Sequence, residues 1–233
     1  MPLASASVVA AVAEKVQRST EKRVFVGWRR EKDTDCTRYG SFEYRCAPSG
    51  KILRIDESYS STGTRVWDTA VAMSRLFEKR GVRGTILELG AGTGLLGMAL
   101  SARGADRVVL TELGAVVPHL EKTVERNALG NVRVAELDWT DGDLEEFRGF
   151  DLVVASDVLI CEQWAVALAR VLVVLRTETY VGTARGRDGV GYFLRAVEPA
   201  FEVSALPPDA FHPDFACPDI LVFHLAPRSS SST

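Results

Sequence analysis

The segment Glu88-Leu89-Gly90-Ala91-Gly92-Thr93-Gly94 constrains this chain more than any other. It follows Thr85–Leu89, an apolar run of strand length, and precedes Leu95–Arg103, a run of helical character. Glycine at this density permits a tight strand-to-helix turn and lets a ligand approach the backbone with no β-carbon in the way. The chain after residue 66 agrees with such a unit. Residues 66–79 place Val66, Ala70, Met73, Leu76 and Phe77 at helical spacing. Strands at 107–111, 132–137, 150–155, 178–183, 201–206 and 220–225 then alternate with helices at 116–127, 162–175 and 189–199. That alternation predicts an α/β fold with a mostly parallel sheet and helices on both faces. A ligand then sits outside the carboxyl ends of the strands, at the switch point.

Before residue 66 the character differs. Residues 23–28, 40–46 and 51–55 read as short strands, the last two joined by the hairpin-like turn Ala47-Pro48-Ser49-Gly50. The polar stretch 29–38 reads as a loop. Residues 2–16, rich in Ala, Val and Ser with no basic segment ahead, read as an N-terminal helix rather than a secretory signal. The expected division is an extension over 1–65, a ligand-binding domain over 66–226 and a disordered serine-rich tail over 227–233.

Composition removes several classes of function. A net charge of -3 and a pI near 5.7 lack the basic footprint of a nucleic-acid binder. No apolar run reaches the length needed to span a membrane. The four cysteines, at 36, 46, 161 and 217, form no Cys-x-x-Cys pair, and the three histidines are scattered, so no metal site is expected. Reduced thiols in the cytoplasm or nucleus are the expectation.

The glycine loop alone leaves the ligand open. Gly92-Thr93-Gly94-Leu95-Leu96-Gly97 also fits the dinucleotide fingerprint, and a glycine turn with no ligand is a third reading. Three neighbours favour a methyl-donor cofactor, S-adenosylmethionine, over NAD. Glu88 places a carboxylate at the strand end, which would repel a pyrophosphate and attract an ammonium group. Glu112 ends the second strand 22 residues after Gly90, the spacing of an acid that accepts hydrogen bonds from ribose hydroxyls. Asp138-Trp139 follows the third strand, offering a hydrogen bond and a stacking surface to a neutral adenine. Each also has a structural reading: a helix-cap acid, a surface acid and a core aromatic.

With these residues in place, the chain resembles the seven-β-strand methyltransferases of methyltransferase family 16, which contains many protein-lysine methyltransferases. The resemblance covers roughly residues 50 to 226. It rests on Val66-Trp67-Asp68-Thr69-Ala70, Glu88 to Gly97, Thr111-Glu112-Leu113, Asp138-Trp139 and Ala155-Ser156-Asp157. It implies a Rossmann-like class I fold with a seven-stranded, mostly parallel sheet and one antiparallel strand, preceded by the N-terminal helix and hairpin. It further implies that Trp67 lies against the cofactor, that Gly90, Ala91 and Gly92 pass beneath its methionine and ribose portions, that Glu112 holds the ribose, and that Gly94 and Leu113 are further cofactor-binding residues. Trp139 would cover the adenine, and Ser156 would line the site.

One position departs from the pattern. The lysine-modifying members carry Asp-x-x-Tyr after the fourth strand, and this chain reads Asp157-Val158-Leu159-Ile160. A tyrosine could orient an accepting amine, whereas isoleucine offers only an apolar wall. Asp157 is the candidate catalytic residue on the acceptor side. The expected function is methyl transfer to a protein side chain, lysine first, with arginine or histidine made more plausible by Ile160. A small-molecule methyltransferase and a non-catalytic cofactor- or partner-binding protein are the alternatives. The expected partner is a protein substrate, with no nucleic acid or membrane, and the expected state is a monomer.

Overall fold

A computed structural model describes residues 28–32, 39–58, 61–213 and 217–229. The expected N-terminal helix, most of the expected strand at 23–28 and the last four residues of the serine tail lie outside the described residues.

The chain first forms a three-stranded antiparallel sheet from β1 (Trp28–Lys32), β2 (Tyr39–Arg45) and β3 (Ile52–Ser58). β1 corrects the expectation of a loop at residues 29–32, while 33–38 lie outside the described residues: Trp28 pairs with Tyr44 and Lys32 with Gly40. Its sequence, Trp-Arg-Arg-Glu-Lys, has no apolar alternation to reveal it. Among the described residues it is an edge strand, and charged residues are common at sheet edges. In β2 and β3 the alternation is plain, with Phe42, Tyr44, Leu53 and Ile55 buried and Glu43 and Arg54 paired outside at 3.0 Å. The turn between them closes with Cys46 N–H donating to the Lys51 carbonyl at 2.8 Å.

The larger sheet contains β4 (Thr85–Leu89), β5 (Arg107–Glu112), β6 (Val132–Glu136), β7 (Leu152–Ser156), β8 (Thr179–Ala184), β9 (Phe201–Ala205) and β10 (Ile220–Pro227). Their spatial order is β6-β5-β4-β7-β8-β10-β9, and β10 runs antiparallel to both of its neighbours. The order reverses between β4 and β7. Helices α1 (Asp68–Arg80), α2 (Leu95–Arg103) and α3 (Val117–Asn127) pack with Ile86, Val108 and Leu110 on one face. Helices α4 (Glu162–Leu175) and α5 (Val190–Val197) pack with Leu87, Leu89 and Val109 on the other. The small sheet joins the first core through Tyr44 and Leu53. Asn127 at the end of α3 fastens it there, accepting from Arg54 N–H and donating to the Arg54 carbonyl, both at 2.8 Å. No helix among the described residues is long and apolar enough to cross a membrane.

Strands buried on both faces hide their polar exceptions, and Glu88 is the important one. It shares a face with Ile86, is fully buried, and accepts a hydrogen bond from Gly97 N–H of α2 at 2.7 Å through Oε2. Oε1 is buried and has no hydrogen-bond partner among the described residues. The expectation that this carboxylate faces a cofactor ammonium is therefore corrected: β4 directs it beneath α2, inside the core. Burial pushes its pKa up to about 8, with the Gly97 N–H pulling the other way and the nearby Glu112 adding to the rise.

Two predictions follow from this contact. A β-carbon at Gly97 would lie 2.2 Å from Leu110 Cδ2 and 2.6 Å from Glu88 Oε2. Both neighbours are pinned in the core, so Gly97→Ala should destabilise by about 1–3 kcal/mol despite the better helix propensity of alanine. Chemical denaturation measures it. The second concerns pH. Because the folded protein holds the Glu88 proton more tightly than the unfolded chain, Glu88 contributes stability at low pH that is lost as pH rises from about 4.5 to about 8. Glu88→Gln should remove that loss, so its denaturation midpoint gains on the wild type across this window. A constant difference between the two proteins would refute the assignment.

Candidate functional site

A cavity of about 230 Å³ opens at the carboxyl ends of the parallel strands. Four successive strand ends supply its wall. The loop after β4 contributes Gly90, Ala91, Gly92 and Thr93, and the end of β5 contributes Glu112 and Leu113. Leu137 and Trp139 come from the segment after β6, Ser156 from the end of β7, and Asp157, Val158 and Ile160 from the segment after it. The remaining wall comes from before the sheet, as Ser61, Thr62, Gly63, Arg65 and Trp67, with Ala70 of α1, Val116 before α3 and Trp164 of α4 completing it.

The floor is stitched to the sheet. Ala91 N–H donates to the Thr111 carbonyl at 2.9 Å, and the Thr111 hydroxyl donates to the Glu88 carbonyl at 2.8 Å. Gly90 has a φ of 67°, and a β-carbon there would sit 2.9 Å from Val158 Cγ1 and 3.0 Å from Trp139 Cζ2. Only glycine lets the indole come down on the loop. Beside it, the Glu112 carboxylate accepts from Gly92 N–H at 3.3 Å and from Leu113 N–H at 2.6 Å. Burial raises its pKa above the ordinary carboxylate value, against the lowering effect of those two donors.

Across the cavity, Asp157 adopts a left-handed conformation, with φ 58°. Both of its carboxylate oxygens accept hydrogen bonds. Arg187, in the turn after β8, donates from Nε to Oδ1 at 3.1 Å and from Nη2 to Oδ2 at 2.7 Å. Ala184 N–H reaches Oδ1 at 3.3 Å. Arg187 also lies over the Trp67 ring at 5.6 Å from its centroid, and Arg65 at 4.9 Å. The Trp67 indole N–H donates to the Thr62 carbonyl at 3.0 Å, which ties residues 61–67 across the cavity mouth.

Nine of the twelve residues singled out from sequence line this cavity: Trp67, Gly90, Ala91, Gly92, Glu112, Leu113, Trp139, Ser156 and Asp157. Three do not. Glu88 is in the core. Gly94 serves packing, since a β-carbon there would be 2.6 Å from Leu120 Cδ1. Asp138 turns back on its own loop, its Oδ1 accepting from Thr140 N–H at 2.8 Å and from the Thr140 hydroxyl at 2.7 Å, and these bonds lower its pKa. The sequence reading missed Trp164, Arg65 and residues 61–63. Ser61-Thr62-Gly63, a polar turn immediately upstream of Trp67, was the available signal for the last of these.

Comparison with known proteins agrees with this geometry. The family model described as lysine methyltransferase, methyltransferase family 16, matches residues 48–197. EEF1A lysine methyltransferase 3 of Mus musculus is 34% identical over 122 residues, covering 48% of this chain and 52% of the relative. Protein N-lysine methyltransferase METTL21A of Xenopus tropicalis is 30% identical over 120 residues, covering 48% and 55%. The chain thus spans about half the length of these curated relatives. Among solved structures, the glycopeptide N-methyltransferase MtfA complexed with (S)-adenosyl-L-methionine superposes with a TM-score of 0.55 at 15% identity, covering 68% of this chain and 94% of that one. At such identity the likeness concerns the fold, which is that of the class I methyltransferases. The strand order, the glycine-floored cavity and the family match together establish that this chain belongs to methyltransferase family 16, the lysine methyltransferases.

Proposed function

We propose that the cavity binds S-adenosylmethionine and that the chain transfers its methyl group to a side-chain nitrogen of a protein, lysine in the first instance. The observation that carries this reading is Glu112. Its carboxylate stands in the cavity wall beside the glycine floor, held by two backbone N–H groups and facing the same space as the Trp139 indole. That combination suits a ribose and an adenine. The lysine preference follows the names of the relatives.

The chain's own groups divide the work. Glu112 accepts from the ribose hydroxyls while its backbone donors hold it in place. Trp139 and Leu113 border the adenine, Ser156 lines the site, and Trp67 closes it from the upstream side. The bound cofactor supplies a methyl group activated on a sulfonium. Holding that methyl and the accepting nitrogen close and aligned is the main source of rate. An amine attacks only when neutral. Asp157, already paired with Arg187, is a positioning residue on this reading: it holds the turn after β7 and keeps Arg187 over Trp67. Ile160, 43% exposed at the mouth, adds an apolar wall that helps exclude water from the acceptor. Cys46, Cys161 and Cys217 are free thiols, in keeping with a reducing compartment, the cytoplasm or nucleus. We take the working state to be a monomer that binds no nucleic acid, given the acidic balance of charge.

The decisive experiment is transfer of tritiated methyl from S-adenosylmethionine to a cell lysate, resolved by gel and then by residue. A labelled protein band with methyl-lysine is expected. Methyl-arginine or methyl-histidine would move the acceptor, label in small molecules alone would favour a small-molecule enzyme, and binding without label a non-catalytic protein. Glu112→Ala should lose charge-assisted hydrogen bonds of about 1.5–3 kcal/mol, so calorimetry should show cofactor affinity falling on the order of tenfold or more. Asp157→Ala should lower methyl transfer and melting temperature together, and Arg187→Ala should copy it. Loss of transfer at unchanged melting temperature, in Asp157→Ala alone, would show a direct contact with the acceptor instead.

A further inference from the structure

We infer that Trp164 is a positioning residue for the nucleoside end of the cavity, holding the Trp139 indole at the angle against which adenine stacks. The inference deepens the reading above and rests on it.

Trp164 stands on the first turn of α4, and Trp139 follows β6, so only the tertiary fold brings them together. Their ring centroids are 6.1 Å apart and their planes meet at 83°, an edge-to-face pair within the range where such contacts are attractive. The Trp139 ring is thus boxed. Its benzo end lies over the Gly90 backbone, and Trp164 stands against it from the helix side. Trp139 and Val158 pack on the core beneath the sheet, whereas Trp164 is not among the described residues that do. It lines the cavity instead. A large aromatic placed there contributes little to the core and much to the orientation of its neighbour.

The physical consequence concerns preorganisation. Trp139 is itself half-buried, and without Trp164 against it the cavity side of its ring would be less restrained. A ligand stacking on it would then have to order it, and binding would weaken by that amount. With Trp164 in place the stacking face exists before the ligand arrives. The effect of Trp164 therefore passes through Trp139 and is confined to the nucleoside part of the ligand.

A double-mutant cycle tests this, with S-adenosylhomocysteine and adenosine as calorimetric probes of the full chain. Trp164→Ala should weaken both ligands by the same factor, about fivefold, the size an edge-to-face aromatic pair supports. Trp164→Phe, which keeps a ring edge, should stay within about twofold of the wild type. In the Trp139→Ala background, removing Trp164 should cost nothing further. In turnover assays KM for S-adenosylmethionine should rise while kcat holds. Trp164→Leu, which keeps bulk without a ring, should match Trp164→Ala, and it serves where the alanine variant folds poorly. Additive losses from Trp139 and Trp164, or unchanged affinity in both ring-deleted variants, would overturn the inference. So would a loss seen for S-adenosylhomocysteine and absent for adenosine. A wild-type protein that binds neither probe would remove the cofactor reading itself, and this inference with it.

Discussion

Helix α2 lies so close to β4 and β5 that Gly97 leaves no room for a β-carbon, and the cavity takes its form from that contact. A helix seated this near the sheet must be entered by a short turn, and the glycine loop provides it. The loop cannot drift, because Ala91 N–H holds the Thr111 carbonyl and the Thr111 hydroxyl holds the Glu88 carbonyl. Glu112 is the next residue along β5, so the same stitching brings its carboxylate within reach of Gly92 N–H. Floor and acidic wall are one mechanical unit.

How far the sequence discloses this differs from residue to residue. The elements that carry apolar periodicity could be read almost to their ends, and Thr85–Leu89, Leu95–Arg103 and Glu162–Leu175 have the bounds expected of them. β1 could not be read, because Trp-Arg-Arg-Glu-Lys carries no apolar alternation and only its pairing with β2 defines it. Glu88 shows a subtler difficulty. In Thr-Ile-Leu-Glu-Leu both faces of the strand are covered, so no polar side exists against which to judge where a carboxylate points. Only the position of α2 shows that it points into the core. Asp138 was legible in principle, since Asp-Trp-Thr permits the aspartate to bond two residues ahead and so turn away from a ligand. Trp164 was not, because its contact with Trp139 spans two elements that only the finished sheet brings together.

The cavity wall after β7 turns on a pairing that no local pattern announces. Asp157 stands at the end of β7, where the family pattern places an aspartate, yet its oxygens are occupied by Arg187 and Ala184 N–H. Only 4% of this side chain is exposed, so its hydrogen-bond partners come from the protein and not from water. Its left-handed backbone is tolerable for aspartate where it would strain most residues. The turn, the ion pair and the bond to β8 thus depend on one another. Each fixes the conformation that makes the other two possible.

This pairing also accounts for the arrangement around Trp67. Arg187 reaches from Asp157 over one indole, and the indole N–H in turn holds the Thr62 carbonyl. The upstream segment is thereby linked through a tryptophan and an arginine to the end of the fourth parallel strand. The two sides of the cavity mouth come from residues 61–67 and from the turn after β7, more than 80 positions apart in the chain. With Asp157 committed to that link, its charge is compensated internally, and Ile160 beside it adds no polar group. On the proposed reading the accepting nitrogen meets an apolar wall that shields it, and its proton leaves to solvent and not to Asp157. The departure at Ile160 and the capture of Asp157 by Arg187 then describe one design, an acceptor side that works by shape and exclusion of water.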